Sequence, residues 1–173
     1  MKKLSLLFTK DGLQWHISKG KTVLEEAFYF VTEETSPHLV EEKLDDVLKF
    51  DDYKEIEVIS ALNHFSLTPD TFAEHELGYK LISYNAPVDE ANEELMLSVN
   101  KKFAVQFYYT FPKHFYQKIK AKKLPTKFNF SGEKFLNALT VKNHKEIHIN
   151  LYHHQVEFFA FENKKVALYN NLD

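Results

Sequence analysis

The pattern that most constrains the fold is a set of three short apolar runs, broken by two tight turns, at the start of the chain. Within this first meander, Lys3 to Val31, the runs and turns are Leu4 to Phe8, Thr9 to Gly12, Leu13 to Ser18, a turn at Gly20, and Thr22 to Val31. The Asp11-Gly12 pair is typical of a two-residue hairpin loop, because such loops need positive φ angles. The alternation of apolar and polar residues predicts a three-stranded antiparallel meander with one buried face.

A similar pattern returns at the other end of the chain, from Glu146 to Asp173. Its parts are the alternating run Ile147 to Tyr152, a turn at His153 and His154, the run Val156 to Phe161, a turn from Glu162 to Lys165, and Val166 to Tyr169. The two ends match strand for strand. Two explanations stay open at this point: an internal duplication, or the chance recurrence of a common unit.

Between the two ends the sequence alternates predicted helices and strands. The predicted elements are a helix after Ser36-Pro37, a strand from Ile56 that ends near Leu62, a connecting loop or short extension at Asn63 to Leu67, a helix after Thr68-Pro69 interrupted by Gly78, strands at Glu94 to Asn100 and Phe103 to Thr110, a helix opened by Pro112, a strand at Lys127 to Phe130, and a helix capped by Ser131. A hydroxyl residue followed by proline is a common helix start. The loop from Asn85 to Asn92 divides the chain into two expected subdomains, residues 1–88 and 89–173.

Composition identifies a folded protein with no membrane-spanning pattern. The chain has 173 residues, of which 44% are hydrophobic and 16 are phenylalanine, enough apolar surface for one core or two small ones. No apolar run approaches the length that a bilayer requires, and no leader pattern precedes the first strand. With no cysteine for disulfides or thiolate chemistry, we expect a cytoplasmic protein that does not use a membrane.

Charge is segregated along the chain. Residues 33–94 contain 17 acidic residues and four lysines, whereas residues 101–132 contain eight lysines and no acidic residue. All 22 basic residues are lysines. Because arginine is the usual ligand of phosphate and guanine edges, its absence disfavours nucleic-acid binding.

Three segments resemble an uncharacterised family of Bacteroidetes, domain of unknown function 3822. They are LSLLFTKDGLQWHI (Leu4 to Ile17), FSLTPDTF (Phe65 to Phe72) and EFFAFENKKVALYNN (Glu157 to Asn171). The order of elements is also similar to that of actin-like ATPases. The resemblance implies an α/β (α+β) protein of the actin-like, ribonuclease H-like fold, with a mixed sheet, flanking helices and an incomplete second copy. A sheet interrupted in this way exposes strand edges, which favours self-association.

The two turns depart from what an ATPase of this fold requires. In active members each meander carries an acid, a glycine and a small hydroxyl residue that together surround phosphate and magnesium. Here Leu13 follows Asp11-Gly12, and the second turn, Tyr152 to Gln155, has neither acid nor glycine. We therefore expect no cofactor, no catalytic residue, and no binding or hydrolysis of ATP by this chain.

The nine histidines do not predict a metal site. His148 faces away from Ile147 and Ile149 on its strand, and we expect His153 and His154 to point apart in their turn. Motifs of metal-dependent and nucleophilic hydrolases are absent from the sequence.

The predicted helix after Pro112 presents the candidate partner-binding residues. They are Lys113, Lys118, Lys120, Lys122 and Lys123, on the solvent side of a helix whose Phe111, Phe115 and Ile119 are spaced by four. Neighbouring aromatic residues, among them Tyr116 and Phe128, also suit a single-stranded nucleic acid. Docking on an acidic protein surface, such as residues 33–94 of another copy, is the more economical interpretation.

The sequence therefore favours a non-catalytic interaction or scaffold module, with a protein partner or a second copy as its ligand. Two alternatives stay open: a nucleotide-dependent ATPase completed by residues outside this chain, and an RNA-associated accessory protein that uses the lysine helix.

Overall fold

Eleven strands and four α-helices make up residues 1–172, the part of the chain that the computed structural model describes. The strands are β1 (Lys2–Thr9), β2 (Gly12–Lys19), β3 (Thr22–Phe30), β4 (Glu55–Ser60), β5 (Phe65–Pro69), β6 (Glu93–Asn100), β7 (Val105–Pro112), β8 (Thr126–Phe130), β9 (Lys145–Leu151), β10 (Val156–Glu162) and β11 (Lys165–Leu172). The helices are α1 (Leu39–Leu48), α2 (Gly78–Ser83, preceded by a 3₁₀ turn at His75–Leu77), α3 (Lys113–Ala121) and α4 (Ser131–Ala138). Asp173, the last residue of the predicted second meander, lies outside the described residues.

The strands form one mixed sheet and two antiparallel sheets. The mixed sheet has the order β3-β2-β1-β4-β8, in which β1 is antiparallel to β2 and parallel to β4, and β4 is parallel to β8. The other two sheets have the orders β5-β7-β6 and β11-β10-β9. The α/β class, the mixed sheet and the meanders at both ends are as predicted. None of the helices within residues 1–172 is both long enough and apolar enough to cross a bilayer.

The two meanders share an irregularity as well as a strand order. In each meander, the first two residues of the third strand pair with the second strand. The next residue of the third strand is left unpaired, which is a β-bulge. The skipped residue is Leu24 in the first meander and Ala167 in the second, and each lies two positions after the start of its strand. Because such bulges are inherited features of a sheet, this coincidence favours duplication over chance.

Two hydrophobic cores meet along one face of β7, which contributes Phe111 to one and Phe107 and Tyr109 to the other. The first core joins the mixed sheet to α1 and α3 through residues such as Leu44, Phe111 and Ile119. The second joins β7, β8 and α4 to the second meander, with a stack of rings that includes Phe107 and Tyr169. Met96 packs against both.

Strand β8 belongs to the predicted second subdomain, yet it pairs with β4 of the first. The mixed sheet thus draws on both halves of the chain. The boundary at residue 88 stays a prediction; the loop at that point separates α2 from β6.

Three predicted helix starts are wrong or displaced. Thr68 and Pro69 end strand β5, and the following helix begins only at Gly78 after the 3₁₀ turn, so this glycine starts α2 instead of interrupting it. Helix α1 begins at Leu39, two residues after the proline that was expected to open it, and its cap makes no side-chain hydrogen bond. Ser131 is the first residue of α4, and its hydroxyl donates to Glu157 instead of capping the helix.

The outer face of the second meander is apolar and exposed. Ile147, Ile149 and Leu151 on the edge strand β9 have exposed fractions of 68%, 60% and 74%. Their cross-strand neighbours on β10 are apolar as well. Strand β9 also pairs only with β10 within the described residues, so its other edge is unpaired there.

Candidate functional site

The turn between β1 and β2 is held by the Thr9 side chain and by the residue that follows β3. The Asp11 N–H donates to Thr9 Oγ1 (3.1 Å), and the Asp11 carbonyl accepts from the Val31 N–H (2.7 Å). Gly12 has a φ of +139°, and a Cβ at this position would lie 1.9 Å from the Tyr29 carbonyl oxygen. The close approach of β3 therefore explains the glycine without any phosphate.

The turn between β9 and β10 binds the first turn directly. The backbone N–H of His154 donates to Asp11 Oδ2 (2.9 Å), and His154 Nδ1 lies 2.9 Å from Asp11 Oδ1. The Asp11 carboxylate is buried, and each of its two oxygens forms a hydrogen bond with the opposite turn. We call this contact, formed by Thr9–Gly12 and Tyr152–Gln155, the hairpin junction.

Gln155 closes the other side of the hairpin junction. Its Oε1 accepts from the Lys10 N–H (3.4 Å), and its Nε2 donates to the Ala61 carbonyl just after β4. The Ala61 N–H in turn donates to the Phe8 carbonyl (2.8 Å). The buried Gln155 thus ties the second meander to the ends of two central strands of the mixed sheet.

The residues at the hairpin junction do not fit a magnesium triphosphate. Neither turn offers a row of free backbone amides, because the N–H groups of Lys10, Asp11 and His154 already have protein acceptors. The adjoining cavity, of about 290 Å³, is lined mainly by apolar and aromatic side chains such as Phe28 and Leu151. Phosphate binding needs unpaired N–H groups or cations, and among the described residues no lysine or arginine lines this cavity.

The histidines of the second turn lie closer together than expected. The rings of His153 and His154 meet at 4.0 Å between centroids, and His153 also contacts Phe30, so the prediction that they point apart is wrong. His148 pairs with Glu146 through Nε2 (2.8 Å). Within residues 1–172 no three histidine or acidic side chains form a group able to hold a metal ion.

Three of the five predicted partner-binding lysines have acceptors within the described chain. Lys113 Nζ donates to the carbonyls of Glu90 (2.7 Å) and Ala91 (3.1 Å). Lys118 bridges Asp45 (2.7 Å) and Glu41 (2.9 Å) of α1, and Lys122 pairs with Asp51 (3.1 Å). The predicted attraction between the lysine helix and the acidic region therefore operates inside one molecule.

The other two lysines, Lys120 and Lys123, are exposed at the end of α3. Lys123 has a φ of +55°, as is common for the residue that ends a helix. The aromatic residues expected beside them are partly used by the first core, where Tyr116 stacks on Phe128 at 5.0 Å. The surface available to a nucleic acid is smaller than the sequence implied.

A buried carboxylate, Glu157 on β10, escaped the sequence analysis. It is fully buried and accepts four hydrogen bonds within the described chain. The donors are Ser131 Oγ (3.0 Å), Asn150 Nδ2 (2.8 Å), Tyr152 OH (2.7 Å) and Tyr169 OH (2.8 Å). The sequence did contain a signal for this buried carboxylate, because strict alternation places Glu157 on the same face of the strand as Phe159 and Phe161.

Solved structures with the same fold cover almost the whole chain. A Bacteroides thetaiotaomicron protein with an actin-like ATPase fold and unknown function is 21% identical, with a TM-score of 0.79 over 99% of this chain and 70% of that chain. The cytoplasmic domain of EpsL, an inner membrane component of the type II secretion system of Vibrio cholerae, is 10% identical, with a TM-score of 0.58 over 100% and 71%. These similarities confirm the predicted actin-like fold.

A third structure, a PilM-PilN type IV pilus biogenesis complex, is 11% identical, with a TM-score of 0.57 over 98% of this chain and 61% of that chain. No curated protein matches the chain significantly. The sequence model of one family, described as protein of unknown function (DUF3822), matches residues 1–172.

Proposed function

Since this chain belongs to the DUF3822 family of proteins of unknown function and has an actin-like fold, we propose that it is a non-catalytic interaction module, a pseudo-ATPase whose phosphate loops bind each other. The hairpin junction is the observation on which this proposal depends. The acid of the first turn, which positions magnesium in active members of the fold, here accepts two hydrogen bonds from the second turn.

The likeness to assembly components supports an interaction role. The descriptions of two structures with the same fold name a pilus biogenesis complex and a component of a secretion system. Those descriptions apply to those proteins. For this chain they favour a scaffold over an enzyme, because the fold can serve in an assembly.

The ligand we propose is a protein, either a partner or a second copy, in the cytoplasm. The exposed apolar face of β9 supports this part of the proposal, because apolar patches on a protein surface commonly mark sites of contact with other proteins. Lys120 and Lys123 are the predicted partner-binding lysines that the chain leaves exposed.

The test is a calorimetric titration of the chain with Mg-ATP into the millimolar range, together with an assay of phosphate release. We expect neither saturable binding nor hydrolysis. A His154→Ala variant, which removes the ring from Asp11, should bind no better, because the second turn still lacks a glycine and a hydroxyl residue. Light scattering over a range of concentrations reports self-association of the same samples.

Two results would favour the alternatives. Saturable, magnesium-dependent ATP binding by the chain would contradict the proposal and support a nucleotide-dependent enzyme. Salt-sensitive binding to an RNA ladder, lost when Lys120 and Lys123 are changed to glutamate, would support an RNA-associated role.

A further inference from the structure

A groove separates the edges of two sheets. Its cavity volume is about 700 Å³, within the ~300–1,000 Å³ typical of ligand sites. One wall is strand β5, which pairs only with β7 within the described residues, and the other is β11, which pairs only with β10. The loop after α2, at Asn85, forms one end.

The backbone of β5 presents free hydrogen-bonding groups to this groove. The Thr110 N–H donates to the His64 carbonyl (3.0 Å), so these two residues form a hydrogen-bonded antiparallel pair. Because such pairs alternate along a ladder, Phe65 and Leu67 direct their N–H and C=O groups away from β7. Both residues line the groove, so their polar main-chain groups are available to an added strand.

The opposite wall is irregular and poor in charge. Ala167, the bulged residue of β11, lines the groove together with Leu168, Asn170 and Asn171. The amide oxygen of the buried Asn171 has no hydrogen-bond partner within residues 1–172. This oxygen is itself buried, so the unpaired main-chain groups of β5 are what favour a ligand with N–H and C=O groups of its own.

The side chains of the groove exclude one large class of ligands. In the part of the chain that the structure describes, no aspartate, glutamate, lysine or arginine lines it. The lining consists of asparagine amides, one histidine, a serine, a tyrosine and apolar residues. A phosphorylated or strongly charged ligand would lose its hydration there without gaining a counter-charge.

We infer that this groove binds an extended, uncharged peptide segment of a partner protein, which adds a strand to the edge of β5. In this binding mode, main-chain hydrogen bonds to Phe65 and Leu67 provide affinity, and the apolar lining of the groove favours apolar side chains on the peptide. The inference rests on the proposed function, because it names the chemistry of the partner of an interaction module.

The experiment is a selection from a phage-displayed library of random nonapeptides against the purified chain, followed by titration of the enriched peptides. We expect enriched peptides without charged residues in their central positions. In ¹⁵N spectra, each synthetic peptide should shift the amide signals of Phe65 and Leu67.

A matched pair of variants locates the binding site. Leu168→Glu places a carboxylate in the groove, whereas Leu172→Glu places one outside the groove on the same face of the same strand. Both variants should fold, because the two leucines are 51% and 45% exposed. Leu168→Glu should weaken binding about tenfold or more, and Leu172→Glu should leave it within about twofold.

Three outcomes would overturn the inference: no enriched sequence, equal loss of affinity in both variants, or association of the chain with itself that Leu168→Glu alone abolishes. The nucleotide titration is independent of all three. A chain that binds peptide and also ATP contradicts only the non-catalytic proposal, and a chain that binds neither contradicts only the peptide groove.

Discussion

Glu157 shows how one buried side chain organises the second half of the molecule. Its four donors come from α4, β9, β11 and the turn after β9. Burial, with the nearby Glu157 carboxylate as a further cause, raises the pKa of Tyr152 and of Tyr169 well above the usual range, so both hydroxyls stay protonated donors. Gly132 permits this arrangement, because a Cβ there would lie 2.7 Å from the ring of Tyr169.

Replacing Glu157 with glutamine should lower the free energy of unfolding by about 2–4 kcal/mol, because an amide NH₂ group would then face donors that need an acceptor. Urea unfolding followed by fluorescence measures this loss. The control is Glu162→Gln on the same strand, where the exposed carboxylate pairs with Lys145 at 3.4 Å and should contribute less than about 0.5 kcal/mol. Equal effects of the two changes would contradict the role assigned to Glu157.

Glu146 makes the second meander sensitive to acid. Hydrogen bonds from the Asn143 N–H and from His148 lower the pKa of the Glu146 carboxyl from 4.5 to about 2. Because the folded state holds this group with the lower pKa, its stabilising contribution is present above pH 4.5 and is lost as the pH falls toward 2.

We therefore expect Glu146→Gln to lower Tm at pH 6 and to lower it progressively less as the pH falls to 2, measured by calorimetry across that range. Glu162→Gln serves again as the comparison, with a smaller change at every pH. A difference between Glu146→Gln and the unmodified chain that stays constant across the range would show that the carboxylate charge does not stabilise the fold.

At the scale of elements, the pairing of α1 with α3 uses the segregation of charge. The hydrogen bonds that Lys118 donates to Asp45 and, as the next cause, to Glu41 raise the pKa of Lys118 and keep it charged. Lys120, two residues further along α3, is exposed and has no ion pair within the described residues. The lysines of one helix therefore divide into a structural group and an exposed group.

Changing Lys118 to glutamate should reduce stability by about 1 kcal/mol, less at high salt, because it places a third carboxylate beside two others. Lys120→Glu should leave the free energy of unfolding unchanged within about 0.5 kcal/mol. Urea titrations at low and at 1 M salt measure both. A larger loss for Lys120→Glu than for Lys118→Glu would contradict the division.

At the scale of the whole molecule, the hairpin junction joins the two meanders. A double-mutant cycle with Asp11→Ala and His154→Ala should give a coupling of about 1 kcal/mol, since the cycle isolates the contact between ring and carboxylate. The matched cycle with Asp11→Ala and His153→Ala should be additive within about 0.5 kcal/mol. Equal couplings would mean that the two turns act through general packing.

The sequence alone predicted the parts of the fold that depend on local alternation. Strands β1, β2, β9 and β10 follow from apolar residues at every second position, and α3 follows from Phe111, Phe115 and Ile119 spaced by four. The Thr68-Pro69 pair led to a wrong helix prediction, because proline suits the end of an edge strand as well as the start of a helix. Local chemistry does not distinguish these two settings.

Contacts between distant residues were decided only by the tertiary structure. Asp11 and His154 are separated by 143 positions, and Ser131 is separated from Glu157 by 26. The hydrogen bonds that these side chains form depend on which turns and strands the sheets bring together, and a turn sequence does not encode its distant neighbour. The sequence thus determined that both ends are meanders, and packing decided that their turns bind each other.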